Sequence, residues 1–361
     1  AYGALAAGFY FAYAAFQLPA GALSDRIGGK LVLGLGALLW SVSTLLTGFV
    51  QGFLGLFILR MMLGMGESVA FTTTSKIIAS NVPPYYMGLT NGVIGFGYLV
   101  GPAVGTLLGG VLMAHWGWRA TFVAFGAASL VWLIPWSRVQ IHSAMRGELR
   151  LVTPVTLRQI LRQRALWGAS LGHFAGNWNW YFILGYLPMY LEMQRGFSKM
   201  QMATLVSSAY LVNALAALFA GWAMDKAMAR GWSASRMLKG ALALAHLAGL
   251  GCMLAMPALS ITWCLALLFV YEIALGLSCP AYFIIPQIMA GPSAAARWVG
   301  VQNMIGNMPG IIGVFFAGAL IDASGGAYGT AFLLAGLVNI LGLVGWLLIL
   351  PKVAPVDWSA L

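Results

Sequence analysis

Gly21-Ala22-Leu23-Ser24-Asp25-Arg26-Ile27-Gly28-Gly29-Lys30 is a short polar stretch that follows an apolar run. Its frame returns at Gly221-Trp222-Ala223-Met224-Asp225-Lys226, offset by 200 residues in both the glycine and the acid. A second echo lies further along each half. Asn91 precedes a glycine-rich segment that ends before Trp118-Arg119-Ala120-Thr121-Phe122, and Asn303 precedes one that ends before Gly329-Thr330-Ala331-Phe332. A parallel repeat of this kind implies two similar bundles in one orientation.

Composition says what the bundles sit in. Of 361 residues, 61% are hydrophobic and 7% charged, against about 25% charged in soluble domains. Such a chain cannot cover its surface against water, and it is too apolar to be disordered. We expect an all-α polytopic membrane protein. A helix spans a bilayer with about 20 apolar residues, and eleven runs qualify: 1–22, 31–50, 54–79, 88–114, 118–137, 166–192, 201–223, 237–256, 261–290, 299–321 and 328–350. They divide into an N-terminal bundle (1–137), a basic linker (138–165) and a C-terminal bundle (166–361). The second bundle holds six runs and the first five, so the repeat implies a twelfth span before Ala1.

Basic residues set the orientation. Arg26, Lys30, Lys76, the linker arginines Arg138, Arg146, Arg150, Arg158, Arg162 and Arg164, then Lys226, Arg230, Arg236, Lys239, Arg297 and Lys352 collect on one side, against Arg119, Arg195 and Lys199 on the other. The linker and the C-terminus are therefore expected to be cytoplasmic, in a cell (inner) membrane. The net charge of +11 is explained by that bias, so nucleic acid is not a partner. Cys252, Cys264 and Cys279 lack metal-ligand or disulfide spacing.

Two six-helix halves joined by a basic cytoplasmic loop resemble the major facilitator superfamily. Gly21 to Lys30 is similar to that superfamily's signature G-x-L-[ad]-D-R-x-G-[rk]-[rk], and the segment from Gly221 is a degenerate copy. Within the superfamily the chain resembles the anion:cation symporters, which include galactonate and hexuronate importers and sialin. Gln17-Leu18-Pro19-Ala20-Gly21, Leu59-Arg60-Met61-Met62-Leu63-Gly64-Met65-Gly66-Glu67 and His173-Phe174-Ala175-Gly176-Asn177-Trp178 carry that resemblance. Two features depart from it. Pro83-Pro84-Tyr85-Tyr86-Met87-Gly88 lacks the arginine usual there, and Gly97-Tyr98-Leu99-Val100-Gly101-Pro102-Ala103-Val104-Gly105 is similar to a motif of drug:proton antiporters.

Arg60 and Glu67 lie seven residues apart on one helical face, about 10 Å along the axis. Charges inside a bilayer are costly and normally face a water-filled cavity. Arg60 offers a planar fork to a carboxylate, and Glu67 a carboxyl able to carry a proton. The resemblance implies these roles; an internal ion pair that only fixes the helix is the other reading. His173, Asn177, Trp178 and Tyr181 share a face and offer donors, acceptors and an aromatic wall to a polyol, or bonds between helices. Tyr13 and Asn303 match substrate-contacting positions in the galactonate transporters. Tyr282 and Gln287 are further candidates for the cavity, and Glu272 is a second proton-coupling candidate. Gly21, Asp25, Arg26, Gly28, Lys30 and Asp225 are expected to form a gate that breaks as the bundles rock.

The expected function is proton-coupled uptake of a small organic anion, such as a sugar acid, by a monomer that uses a proton gradient and no cofactor. The alternative is a proton-antiport exporter of drugs or metabolites. An enzyme would need clustered polar residues at an interface or a sizeable soluble loop, and the sequence has neither.

Overall fold

The computed structural model describes residues 2–141 and 155–359. Ala1 and the part of the linker with Arg146, Glu148 and Arg150 lie outside the described residues. The N-terminal half runs α1 (Tyr2–Ile27), α2 (Gly29–Thr47), α3 (Phe53–Glu67), α4 (Val69–Asn81), α5 (Met87–Val131) and α6 (Leu133–Arg138). After the short α7 (Leu157–Leu161) come α8 (Arg164–Met193), α9 (Lys199–Ala229), α10 (Ala234–Ala255), α11 (Ile261–Ser278), α12 (Ala281–Gly306), α13 (Pro309–Ala323) and α14 (Gly329–Leu343). No strand occurs among the described residues. Within lipid the backbone must satisfy its own hydrogen bonds, which apolar runs this long do by forming helices.

Glycine divides these helices. α5 is too long for one crossing, at about 1.5 Å per residue against an apolar bilayer core of about 30 Å. Gly117 breaks it with φ 77°, and Gly291, with φ 61° and followed by Pro292, breaks α12 likewise. A side chain is strained at such angles, so glycine takes these corners. Both fall in gaps between expected runs. Other breaks interrupt expected runs: Ser68 separates α3 from α4, Cys279-Pro280 separates α11 from α12, and Asn307-Met308 separates α12 from α13.

Seven helical segments are long and apolar enough to cross a membrane, rather than the eleven runs expected. Three of the seven, Phe53–Asn81, Pro84–Arg138 and Ile261–Ala323, join two or more helices across breaks. α8 falls outside the seven; the polar residues His173, Asn177 and Asn179 interrupt its apolar face.

In the N-terminal half α1 packs on α3, and α2 on α3 and α5; in the other half α9 packs on α11, α10 on α14 and α12 on α8. The halves meet where α5 runs along α9 and where α1 and α4 lie against α12. Two apolar clusters fill the C-terminal half, one around Trp298, Trp346 and Leu242 and one around Phe182, Tyr190 and Phe332. Between them a buried polar trio ties α8, α10 and α14: Asn179 Nδ2 donates to Asn339 Oδ1 (3.0 Å), which also meets His246 Nδ1 (3.1 Å).

The interface between halves depends on missing side chains. A Cβ on Gly21 would strike the carbonyl of Ala296, one on Gly221 that of Gly88, and one on Gly300 that of Gln17. Gly221→Val should therefore lower the thermal midpoint of the purified protein, at a cost of about 1–3 kcal/mol for overpacking. Gly240 faces open space, and Gly240→Val should change stability by no more than about 0.5 kcal/mol. Equal midpoints for the two variants would show that the Gly221 contact carries no weight.

Candidate functional site

Two carboxylates, one at the end of α1 and one near the end of α9, reach into the opposite half. Asp25 pairs across the divide with Arg297 of α12 through Oδ2 (2.7 Å), and with Lys76 of α4 in its own half through Oδ1 (2.5 Å). Asp225 accepts the backbone N–H groups of Gly88 (2.7 Å) and Leu89 (2.6 Å) at the start of α5. The first turn of a helix presents unpaired N–H groups and a positive dipole end, so a carboxylate fits there.

Of the expected gate, Gly28 turns the chain into α2 with φ 93°, and Gly21 permits the close approach to Ala296. Lys30 Nζ donates to the carbonyl of Ser137, which holds α2 to α6 within one half. Arg26 is exposed. The partners of Asp25 are Lys76 and Arg297, which motif reading did not single out.

A layer of amides lies above these charges. Asn91 Nδ2 donates to Gln287 Oε1 (2.8 Å), and Gln287 Nε2 donates back to Asn91 Oδ1 (3.0 Å) and to Ser75 Oγ (3.4 Å). Asn303 Nδ2 donates to Gln17 Oε1 (3.4 Å). Each asparagine of the repeat thus meets a glutamine of the opposite half.

A cavity of about 1010 Å³ opens above this layer, walled by both halves. The N-terminal half contributes Tyr13, Glu67, Phe71, Asn91 and Tyr98; the C-terminal half contributes His173, Asn177, Trp180, Tyr181, Asn213, Tyr282, Asn303 and Asn307. Rings cross the divide: Phe71 stacks on Phe283 (4.8 Å) and Tyr10 meets Tyr181 edge-on (5.4 Å). The polar groups form a chain. Asn177 Nδ2 donates to the Gly306 carbonyl (2.7 Å), Tyr181 Oη to Asn307 Oδ1 (2.8 Å), and Asn307 Nδ2 to the Asn303 carbonyl (2.8 Å). The break after Gly306 exposes that carbonyl by ending α12. His173 packs by its ring on Tyr282 (5.1 Å), with Gln302 Nε2 at 3.4 Å from Nδ1.

Glu67 stands on the cavity wall, and no ion pair joins it to Arg60 among the described residues. Arg60 lies off that wall, with its guanidinium 5.3 Å from the ring centre of Phe122. Seven residues share a helical face only approximately, and a cation favours an aromatic face over apolar surroundings. Arg60 and Glu67 therefore do not share the cavity wall, although Arg60 stays within electrostatic reach of Glu67.

Three further placements correct expectation. Trp178 is buried in the apolar cluster with Phe182 and Phe332, because its face of α8 turns toward α13 at Gly313. Gln287 is fully engaged by Asn91 and Ser75 beneath the cavity. Glu272 accepts from Asn213 Nδ2 (2.7 Å) and lines a separate cavity of about 30 Å³ beside Tyr210. Asn213 bonds it at the main cavity's wall, and Tyr210 lines both cavities. Sequence reading missed Asn91, Asn213, Asn307 and the aromatic residues Tyr98 and Trp180. The repeat pointed at Asn91; the others carry no local signal.

Residues 1–314 match the Major Facilitator Superfamily. The chain belongs to that superfamily. It is 27% identical to human sialin over 93% of its own length and 72% of sialin's. It is 26% identical to the hexuronate transporter of Bacillus subtilis, covering 92% of this chain and 82% of that one. A probable chloroplastic anion transporter of Oryza sativa subsp. japonica is 26% identical over 95% of this chain and 61% of its own. Among solved superfamily structures, a proton:xylose symporter aligns with a TM-score of 0.77 at 15% identity, covering 98% of this chain and 86% of that one. A human organic anion transporter aligns with a TM-score of 0.71 at 19% identity, covering 95% and 83%. The chain is thus a membrane transporter and no enzyme, and its relatives include proteins named as anion and hexuronate transporters.

Asp25→Asn removes the charge that Lys76 and Arg297 share. Charge-assisted contacts contribute about 1.5–3 kcal/mol each, so the closed arrangement at this end should lose about tenfold or more in population. The cavity-lining Cys279 should then react faster with a bulky water-soluble maleimide applied from the Asp25 side. An unchanged rate would show that Asp25 does not hold that end closed.

Proposed function

We propose that this chain takes up a small organic anion, in the first place a sugar acid, together with a proton. The observation that carries this is the convergence of Glu67, a carboxyl without an ion-pair partner, with amides, phenols and rings of both halves on one cavity. Aromatic faces suit the C–H faces of a sugar, and the amides of Asn177, Asn303 and Asn307 suit its hydroxyls. Tyr13, Tyr181, Tyr282 and His173 complete the substrate wall. Arg60 supplies positive charge at the Gly52 end of α3, about 10 Å from Glu67 along the helix, where it draws a carboxylate in. Glu272 is a second proton-binding carboxyl, reached by way of Asn213. The names of sialin and the hexuronate transporter support an acidic substrate.

In this reading the protein crosses an inner membrane eleven times within the given chain, as two bundles (1–137 and 166–361) joined by the linker 138–165. The Asp25 end and the C-terminus are cytoplasmic, which follows the distribution of lysine and arginine. The contacts of Asp25, Asp225 and the two amide pairs then close the cytoplasmic end. Alternating access requires these contacts to break while others form at the opposite end. No dedicated cofactor is needed, and the working unit is a monomer. The glycines 97, 101 and 105 favour a second reading, proton-antiport export, since Gly97 and Pro102 also line the cavity.

Glu67→Gln separates the two. For proton-coupled uptake, gradient-driven accumulation of radiolabelled glucuronate in proteoliposomes should fall by about tenfold or more, while glucuronate exchange at equal pH stays within about threefold. Equal loss of both would remove Glu67 as the coupling group. Proton release driven by lipophilic cations, with no response to hexonates or hexuronates, would favour the export reading.

A further inference from the structure

The corner in α12 is completed by a part of the chain far from the cavity. Gly291 and Pro292 break that helix just after Met289 and Ala290. Carbonyls at such an end take their donors from outside the helix. At the 212-residue offset of Asn91 and Asn303, the same corner in the N-terminal half falls at the end of α4. There the local chain supplies the donors. Asn81 Nδ2 bonds the carbonyl of Ile77 and the Val82 N–H that of Ile78, both at 2.8 Å. The equivalent carbonyls in α12 are those of Met289 and Ala290. Gly291-Pro292 offers them no side-chain donor, and proline has no N–H.

The C-terminal tail fills that role. Beyond Leu350 the chain is extended, with Pro351 and Pro355 barring a helix. The Val356 N–H donates to the Met289 carbonyl (2.9 Å), and Trp358 Nε1 donates to that of Ala290 (3.1 Å). The start of the tail is tied to α10. Lys239 Nζ donates to the Leu350 carbonyl (2.8 Å), and the Val353 N–H donates to Ser235 Oγ (3.1 Å). Val356 and Trp358 pack on the apolar cluster around Trp298, and the two tryptophan rings meet edge-on at 6.3 Å.

Three consecutive residues of α12 thus face three other parts of the chain. The Ala296 carbonyl is the close neighbour of Gly21. Arg297 bonds Asp25 through Nε (2.7 Å), and through Nη1 the carbonyl of Val155 in the linker (2.6 Å). Trp298, fully buried, meets Trp358. At the equivalent corner Tyr85 stands in the place of Arg297 and is exposed. The corner that the tail covers is therefore the one that presents a cation to the opposite half.

We propose that Trp358 is a positioning residue for Arg297: the tail fixes the second segment of α12 so that its guanidinium meets Asp25. Gly291 lies at positive φ with no side chain to limit it, so the direction of the segment that follows is set by what the corner is bonded to. With Trp358 seated, Trp298 is held on one side and Arg297 by Val155 on another, which leaves Nε aimed at Asp25. With Trp358 withdrawn, the Ala290 carbonyl loses its donor, Trp298 loses a neighbour, and the segment turns about Gly291. The bond to Asp25 is then made for a smaller share of the time, and the halves part more readily at that end. This holds whichever proton site or substrate the cavity serves.

Trp358→Ala removes both the bond to Ala290 and the ring against Trp298; Trp358→Phe keeps a ring and removes the bond. The readout is labelling of Cys279, which lines the cavity, by a bulky water-soluble maleimide applied to the full chain from the Asp25 side. Trp358→Ala should raise the rate about threefold or more, and Trp358→Phe about twofold. Lys352→Gln, on an exposed part of the same tail, should match the wild type. The deciding comparison uses Asp25→Asn, in which Arg297 has lost its carboxylate. Adding either Trp358 change there should alter the rate by less than about 1.5-fold, because two changes on one path do not add.

A wild-type labelling rate in Trp358→Ala, with a thermal midpoint that shows it folded, overturns the proposal. Equal acceleration with and without Asp25 overturns it too, since the tail would then support the fold in general and not the clasp. If Trp358→Ala does not fold, Trp358→Phe decides by the same pair of comparisons.

Discussion

The structure depends on two carboxylates that cross between halves. Asp25 reaches Arg297 across the divide, with Lys76 of its own half beside it, and Asp225 reaches the first N–H groups of α5. Each lies near the end of the helix that carries its copy of the repeated glycine-acid frame, and each bonds a helix of the other half. One uses side-chain cations and the other uses a helix terminus, but both present localised positive charge to an acid. The glycines at 21 and 221 bring the backbones close enough for these bonds to form. The clasp is therefore a joint product of a missing Cβ and a carboxylate four residues later.

The character of that seam matters as much as its strength. A seam of large apolar groups would resemble an obligate interface and resist separation, because its surface would have to be hydrated without compensation. Carboxylates, amides and N–H groups exchange their partners for water at a small net cost, near 1 kcal/mol for a typical hydrogen bond. Most of the large apolar groups lie inside the C-terminal half, around Trp346 and Leu242 and around Tyr190 and Phe332, while the apolar contacts across the seam are smaller, as between Leu99 and Ala214 and Ala217. Each half can then move as a packed unit while the contacts between them are remade.

Much of this was legible in the sequence because it is periodic. Composition points to apolar helices and the 200-residue echo singles out Asp25, Asp225, Asn91 and Asn303, while the turns at Gly28, Gly52, Gly117 and Gly291 fall in the gaps between apolar runs. The partial agreement in helix count has a physical origin: apolar length does not register a bend inside lipid, so Ser68, Pro280 and Met308 were invisible. The site was less legible. Helical spacing put Arg60 with Glu67 and Trp178 with Asn177, yet 3.6 residues per turn fixes angles only to within tens of degrees over two turns. Which neighbour a face meets is decided by packing. Trp178 met the space beside Gly313 and turned inward, and Arg60 met Phe122. Partners in the opposite half, such as Gln287 for Asn91, are nearly 200 residues away and leave no local trace.

The asymmetry between the halves then becomes informative. Repetition supplies a symmetric frame, and a symmetric frame alone would open equally well at either end and respond to nothing. Departures from it are where response can reside. Asp25 is held by two side chains and Asp225 by backbone. Asn91 is bound reciprocally and Asn303 by one long bond. Gln17 stands where its counterpart is Ala217. Two of these departures, Gln17 and Asp25, lie along α1. The corresponding stretch of α9 is lined by Ala214, Ala217 and Gly221 and carries no amide between Asn213 and Asp225. Alternating access asks for halves alike in shape, and the polar residues of α1 make them unlike in wiring.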